Sequence, residues 1–459
     1  MDIHKYIDQN SEQMVKELVQ LLRIPSVEGT PEEGAPFGKE VRSALDYTLS
    51  LCQRLGLKAV NVDGYAGYAE IEGVSGQEIG VLTHLDVVPA KDLENWELPP
   101  FDAKCRDGVI YARGICDDKG PAIASIYALA ALKQSGIVPK RNIRLIFGCN
   151  EESGWGCIDY YSAKIGLPEV GFSPDADYPI INTEKGIYHG ELKASAKCED
   201  WSITVRGGDR PNVVVPQATA VIKGNIDRLS RTLLEYDAHQ NGISFTAEGD
   251  TLSITAEGRA AHASTPHLGK NAFFALFDLL DKLDLGGEAG KHIRHINNAL
   301  CFKSDGSGIG LAIKDDISGA LTVNLGILDL KDGELTFTLD IRYPITASDS
   351  DIRTALKAAF PGFELRDGHV QQPHHTPEDH FLVKALKRVY ERNTGKEATC
   401  IAIGGGTYAR ALKTGVAFGV TRPGAPELAH NANERMSITD LIEDTHMFAD
   451  AYVELVSEE

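Results

Sequence analysis

No stretch of this 459-residue chain reaches the ~18 consecutive apolar residues that a membrane-spanning helix needs, so no membrane partner is expected. Positive charge is also short. The 46 Lys and Arg residues face 66 Asp and Glu, for a net charge of −20. Nucleic acid and anionic membrane surfaces require concentrated positive charge, so neither is an expected partner. The eight cysteines (52, 105, 116, 149, 157, 198, 301 and 400) are scattered, with no C-x-x-C pair among them. In a large chain whose start, MDIHKYIDQN, lacks a basic region followed by an apolar run, they read as free thiols of a cytoplasmic protein. Low-complexity linkers and solenoid-period repeats are missing as well. What remains is a soluble globular composition, too long for one ordinary core, so two domains are expected.

The pattern along the chain divides it. A helix over 10–24 is predicted from Asn10 with Gln13 as a capping box and from Met14, Leu18, Leu21 and Leu22 on one face. A second helix carries Val41, Leu45, Thr48, Cys52 and Leu55, with Gly56 as its C-cap. Short apolar runs at 79–83, 143–147 and 170–172 read as buried parallel strands, and Lys119-Gly-Pro121 opens an Ala-rich helix. From about 187 the period becomes two. Half-exposed strands are expected at 187–198, 202–206, 243–248, 252–257, 321–330 and 334–342, with an Asp332-Gly333 hairpin between the last pair. Helical stretches are expected near 215–228, 269–283 and 350–360. Buried strands (400–403, 416–420) and amphipathic helices (380–392, and 437–456 capped by Ser437 with Asp440) then return. The expected architecture is an α/β catalytic domain with a mostly parallel sheet, split into 1–186 and 370–459, with an inserted α+β lid domain at 187–369.

In an open α/β sheet, ligands gather beyond the C-terminal ends of the strands. Here those ends are followed by His84-Leu-Asp86, Asn150-Glu151-Glu152-Ser-Gly and Ser173-Pro-Asp175. Arg113-Gly-Ile-Cys-Asp117-Asp118-Lys119-Gly120 lies between the first two, and Glu427-Leu-Ala-His430-Asn431 precedes the last helix. Each piece alone has a bland reading: a solvated loop, a helix N-terminus, a turn. Five such loops converging on one sheet edge do not. Histidines and carboxylates of this kind hold divalent cations, and two of them about 3.5–4 Å apart can share a carboxylate and a water, lower that water's pKa and polarise a carbonyl. A ligand histidine needs its second nitrogen fixed, and Asp86 is placed to do this for His84. A further carboxylate must take the water's proton and pass it to the leaving amine.

The set H84-L-D86-V-V, R113-G-I-C-D117-D-K-G, N150-E-E-S-G, S173-P-D175 and H430 resembles the successive motifs of the di-zinc exopeptidase family. That family includes acetylornithine deacetylase, succinyl-diaminopimelate desuccinylase, carboxypeptidase G and the carnosinases. The resemblance spans nearly the whole chain. D-D-K-G-P, E-E-S-G-W, the large lid and G404-G-G-T-Y-A-R410 are similar to the bacterial dipeptidase V branch, although Asn150 departs from the expected acidic residue or Thr. It implies that Asp117 bridges two metals, that His84 and Asp175 complete one and Glu152 and His430 the other, and that Glu151 is the general base acting on a metal-bridging water. It implies a cis Asp117–Asp118 peptide. In the lid, His262 of Arg259-Ala-Ala-His262 would stabilise the oxyanion, while Asn212 and Arg342 would hold the substrate carboxylate. Their bland counterparts are a turn for Asn212 and a strand-end salt bridge for Arg342. Gly405 and Gly406 lack a phosphate-loop pattern and are expected to offer backbone to the substrate. Cys116 and Cys149 read as small buried hydrophobes.

The expected cofactors are two divalent ions, zinc first, with manganese or cobalt accepting the same ligands. The expected activity is hydrolysis of free-amine dipeptides by a monomer, a homodimer being the alternative. An N-acyl amino acid deacylase or desuccinylase uses the same chemistry on another substrate. A non-catalytic metal-binding relative would have no use for Glu151.

Overall fold

The computed structural model describes residues 2–91, 93–198, 200–236, 241–426 and 428–457. Contacts within the chain divide it into two compact units. The first comprises Met1–Asn182, His375–Ile401 and Gly406–Glu459, and the second comprises Thr183–His374 with Ala402–Gly405. No helix among the described residues is long and apolar enough to cross a membrane.

The chain opens with helices α1 (Ile3–Leu22) and α2 (Lys39–Arg54). Strands β1 (Lys58–Val62), β2 (Ala66–Ile71), β3 (Glu78–His84), β4 (Lys104–Arg106) and β5 (Val109–Tyr111) follow. Then come α3 (Lys119–Ser135), β6 (Asn142–Gly148), α4 (Gly156–Lys164), β7 (Val170–Ser173) and β8 (Ile180–Glu184). The start of α1 differs from expectation. Asp2 caps it by accepting the backbone N–H of Lys5, and Asn10 lies inside the helix with its amide donating to the Tyr6 carbonyl. Ile7 extends the buried stripe of Met14, Leu18, Leu21 and Leu22 one turn earlier than the motif suggests.

The second unit contributes β9 (Gly186–Ser195), β10 (Ser202–Gly207), β11 (Gln217–Lys223), α5 (Ser230–Glu235), β12 (Ile243–Glu248) and β13 (Thr251–Glu257). It continues with α6 (Ala272–Leu283), α7 (Gly287–Leu300), β14 (Lys314–Asp315), β15 (Gly319–Ala320), β16 (Thr322–Lys331), β17 (Glu334–Tyr343), α8 (Asp349–Ala359) and β18 (Glu364–Gln371). Its eight-stranded sheet has the order β12-β13-β11-β10-β16-β17-β9-β18 and is antiparallel throughout. The expected helix near 215–228 is a strand instead. Ala218, Ala220 and Ile222 are buried while Gln217, Thr219 and Lys223 are exposed, a period of two that alanine content disguises. Asp332 and Gly333 both take positive φ, as a tight hairpin between β16 and β17 demands.

The chain then returns through β19 (His374–His375), α9 (Phe381–Thr394), β20 (Cys400–Ile403), β21 (Thr414–Ala417), β22 (Arg435–Ser437) and α10 (Ile438–Ser457). The principal sheet has the order β1-β2-β6-β3-β7-β21-β8-β19, with β20 beside β8. Its centre, β6-β3-β7-β21, is parallel, and β1, β2 and β8 pair antiparallel around it. This mixed, mostly parallel α/β sheet and the α+β segment are the fold class expected from the sequence. Parallel strands share one C-terminal edge, so the loops after β3, β6 and β7 leave from the same side. Every residue from Lys119 to Leu132 of α3 is buried. Alanine makes such a helix feasible, since small side chains let it pack on all sides.

Candidate metal centre

The site begins at the last residue of β3. The buried His84 ring has its Nδ1 3.0 Å from the carbonyl oxygen of Asp86. A carbonyl only accepts, so Nδ1 carries the proton and Nε2 presents a lone pair. The expected Asp86 carboxylate contact is therefore corrected in detail: the carbonyl makes the hydrogen bond, and Oδ1 stands off at 3.5 Å. The carboxylate accepts the backbone N–H groups of Glu151 and Glu152, each at 3.0 Å. Asp118 Oδ2 accepts the backbone N–H of His84 at 3.0 Å, fastening the Asp117 loop to the strand end. The Asp117–Asp118 peptide is cis.

Two groups of side chains converge here: His84, Asp117 and Asp175, and Asp117, Glu152 and His430. Within each, the candidate ligand atoms lie within 4.8 Å of one another. His84 Nε2 lies 2.8 Å from Asp117 Oδ1 and 3.4 Å from Asp175 Oδ2. His430 Nε2 lies 2.9 Å from Asp117 Oδ2 and 2.9 Å from Glu152 Oε2. Asp117 thus turns one oxygen to each histidine.

Electrostatics sets the groups apart. Burial would raise Asp117, but the two imidazoles hold it well below the usual carboxylate range. Hydrogen bonds to Asp117 and Glu152 push His430 up to about 11. Burial and the charge on Asp117 raise both Glu152 and Asp175. A cluster buried or half-buried except at His430, with more carboxylates than imidazoles, is a poor structural ion pair and a good cation ligand set. His84 Nε2 agrees with that: it is buried without a hydrogen bond of acceptable geometry, although two carboxylate oxygens surround it. The residues fit divalent cations.

Glu151 belongs to neither group. The Trp155 indole N–H donates to its Oε1 at 3.1 Å, and burial pushes its carboxyl well above the ordinary value. Such a carboxyl, beside the ligands but not among them, suits proton transfer. In the first unit a cleft of about 1090 Å³ reaches Asp117 and Asp175 and is lined further on by Tyr178, Arg422 and Arg435.

Sequence reasoning missed the supports. Glu434 is fully buried and receives hydrogen bonds from Arg113 and from the backbone leading to Asp117. Lys119, also fully buried, donates to the carbonyls of Leu21 and Ile24. Ser26 donates to the Leu85 carbonyl at 2.6 Å and accepts the N–H of Val87 at 3.0 Å, clasping the His84 loop. Only Arg113 and Lys119 carried a signal, as members of a ligand motif. The Cys116 thiol donates to the Arg435 carbonyl and Cys149 is buried; burial raises both thiols. Glu427 lies outside the described residues.

The second unit holds the other candidates. His262 Nδ1 accepts the Ser264 backbone N–H at 3.2 Å and lies 2.7 Å from the Ser264 hydroxyl. The Asn212 carbonyl accepts the N–H of Ala263. Arg342 places Nε and Nη2 on the two oxygens of Asp340, at 2.6 and 2.7 Å, and Nη1 on the Gly404 carbonyl at 2.7 Å. The strand-end salt bridge weighed for Arg342 is present. Gly405 has space for a side chain, whereas a Cβ on Gly404 would come within 2.4 Å of Ser264 Cβ, so Gly404 is the sterically required glycine. Gly406 belongs to the first unit, where a Cβ would meet the Arg410 guanidinium at 3.0 Å.

Strand-end loops of a parallel sheet that bring two sets of histidines and carboxylates around one shared aspartate define a metallopeptidase-type hydrolase. The chain belongs to peptidase family M20/M25/M40, whose profile matches residues 80–454. It is 39% identical over 456 residues to "Putative dipeptidase YtjP" of Bacillus subtilis, covering 97% of each chain. Its structure is similar to human carnosine dipeptidase 1 (TM-score 0.61, 16% identity, 99% and 98% of the two chains covered). It is also similar to the di-peptidase Dug1p of Saccharomyces cerevisiae (TM-score 0.58, 15% identity, 99% and 98% covered). The two structural likenesses establish the fold, and the family match bears out the resemblance read from the motifs.

Proposed function

We propose that this chain is a dipeptidase that hydrolyses free-amine dipeptides at a pair of divalent cations, zinc fitting the His/carboxylate set. The carrying observation is Asp117, whose two oxygens face different histidines while Glu151 stands beside them. The names of its relatives support the substrate class.

His84 and Asp175 would hold one cation, Glu152 and His430 the other, with Asp117 common to both. Bound there, the cations supply Lewis acidity toward a water and toward the scissile carbonyl. Glu151 takes the proton from the attacking water on a carboxylate oxygen and returns it to the leaving amine. Trp155 holds the other oxygen, so one face of the carboxylate stays available for this shuttle. The Asp86 carboxylate fixes the backbone of both Glu151 and Glu152. In this reading His262 donates through Nε2 to the developing oxyanion, an interaction that contributes about 2.7–4 kcal/mol in other enzymes. Asn212, Gly405 and Gly406 are read as substrate-facing, while Arg342, buried with its donor nitrogens on Asp340 and the Gly404 carbonyl, is read as holding that backbone in place.

The test is a matched panel with zinc or manganese added: free-amine dipeptides, a tripeptide, and the same amino acids as N-acetyl and N-succinyl derivatives. The expected result is metal-dependent cleavage of the dipeptides, abolished in Glu151→Ala. Turnover of the acylated compounds alone would overturn it in favour of a deacylase.

A further inference from the structure

Glu434 makes contacts that neither the ligand sets nor the proton transfer require. Its side chain is fully buried, as is almost all of Arg113. Oε2 accepts from Arg113 Nη1 at 2.7 Å and from the backbone N–H of Gly114 at 3.0 Å. Oε1 accepts the backbone N–H of Cys116 at 2.8 Å and, more weakly, that of Asp117 at 3.4 Å. Its own carbonyl accepts the N–H of Ala112. One carboxylate therefore organises the backbone of the whole turn that ends in Asp117.

Arg113 joins this turn to the second one. Its Nη2 donates to the carbonyl of His430 at 3.3 Å, and its guanidinium lies over the Trp96 ring at 5.2 Å. His430 has φ 62°, a left-handed conformation that non-glycine residues adopt rarely. A contact to its carbonyl helps hold the imidazole in that pose.

We propose that Glu434 and Arg113 are positioning residues for one of the two cation sites, the one formed by Asp117, Glu152 and His430. Asp117 and His430 are the two members of that group whose loops the pair clamps. The other group shares only Asp117; of its remaining members His84 ends β3 and Asp175 follows β7, and the hydrogen bonds of Glu434 and Arg113 described above run to neither. A buried ion pair by itself is weak grounds for stability, since apolar side chains of similar volume often serve as well. Residues that orient ligands from behind typically alter metal affinity 10–100-fold when changed. Glu434→Gln keeps the volume but sets amide hydrogens against N–H donors and loosens Arg113, whose bond to the His430 carbonyl is what singles out this one site.

The inference rests on the two-cation reading, and the experiment separates the two. Metal-free full-length protein is titrated calorimetrically with zinc and, separately, manganese, without substrate. The wild-type chain should bind two ions. Glu434→Gln should retain one step and weaken the other by roughly 10–100-fold, the weakened step being the one lost in His430→Ala and not the one lost in Asp175→Ala. Arg113→Lys, which keeps the charge but loses the fork, should weaken the same step less, and it carries the test if Glu434→Gln does not fold. Equal weakening of both steps, or no change in either variant, overturns the inference while leaving the two-cation reading intact. A wild-type chain that binds fewer than two ions overturns both.

Discussion

Asp86 and Glu151 are joined through the backbone: the Asp86 carboxylate accepts the Glu151 N–H at 3.0 Å, and the same carboxylate takes the N–H of Glu152. The residue expected to steer a histidine ring with its carboxylate does so with its carbonyl, and uses the carboxylate to hold the Glu151–Glu152 backbone. Asp86→Ala would leave two buried donors without an acceptor, each costing about 1–3 kcal/mol. Displacement of Glu151 by about an ångström is enough for a loss on the order of 100-fold. The expected outcome is a kcat/KM reduced at least that far at saturating metal, with a lower urea midpoint; activity within threefold of wild type would refute the assignment.

Ser264 selects the tautomer of a neutral His262 ring. Because its backbone N–H can only donate, Nδ1 of His262 is the acceptor and the neutral ring carries its proton on Nε2. Nitrogen-15 NMR of the imidazole, assigned by difference with His262→Gln, should show this tautomer. Ser264→Ala removes the hydroxyl contact, worth about 1 kcal/mol, and should lower kcat about fivefold with KM little changed.

Arg342 and Asp340 form a buried bidentate pair, to which His189 adds a contact at 2.9 Å. Removing one partner of such a pair costs about 3–5 kcal/mol, so Arg342→Ala should lower the melting temperature whatever it does to catalysis. Burial would raise the Asp340 carboxyl, but His189 and Arg342 hold it below its ordinary value. A depressed carboxyl contributes stability that is present above the unfolded value of 3.8 and is lost as pH falls through the lower folded one. Denaturation series in wild type and Asp340→Asn should therefore converge below pH 4, not near neutrality.

Lys119 titrates the other way. Burial brings its ammonium down to about 7 from an ordinary 10.5. Between those values the unfolded chain binds more protons than the folded one, so this group makes stability rise with pH at up to about 1.4 kcal/mol per unit. Urea titrations at pH 7 and pH 9 should show the difference in wild type. The same interval in Lys119→Met should show less of it, together with lower stability at pH 9 from the loss of its bonds to Leu21 and Ile24.

Chelation should destabilise the protein. A cation at 100 times its dissociation constant stabilises the form that binds it by about 2.7 kcal/mol. Treatment with EDTA should lower the melting temperature by several degrees and zinc should restore it. Asp117→Ala, lacking the shared ligand, should respond to neither.

The ligand loops were legible because a parallel sheet forces its strand ends to one edge, and His84, Glu152 and Asp175 each follow an apolar run that announces a strand. Six strands of the eight-stranded sheet were legible from their alternation; β11 was not, because Ala218 and Ala220 obscure a period of two, and neither was β18, which has no alternating buried face. Glu434 was not legible. In a polar loop a glutamate reads as solvated, and only the fold shows that its oxygens are surrounded by N–H groups. The division of labour within Asp86, carbonyl to the ring and carboxylate to the backbone, is likewise a matter of which atom arrives where, and spacing carries no information about that.

The first unit is assembled from three separate stretches of chain, and the two histidines of its candidate metal centre come from opposite ends: His84 from the early strands, His430 from just before the last helix. A ribosome adding about 5–20 residues per second exposes the His84 loop long before residue 430 exists. During that interval the nascent chain has His84, Asp117 and Asp175 but no partner to complete the second group. In the proposed reading the pair of cation sites is completed only as synthesis ends, because the group that contains Asp117 and Glu152 waits for His430.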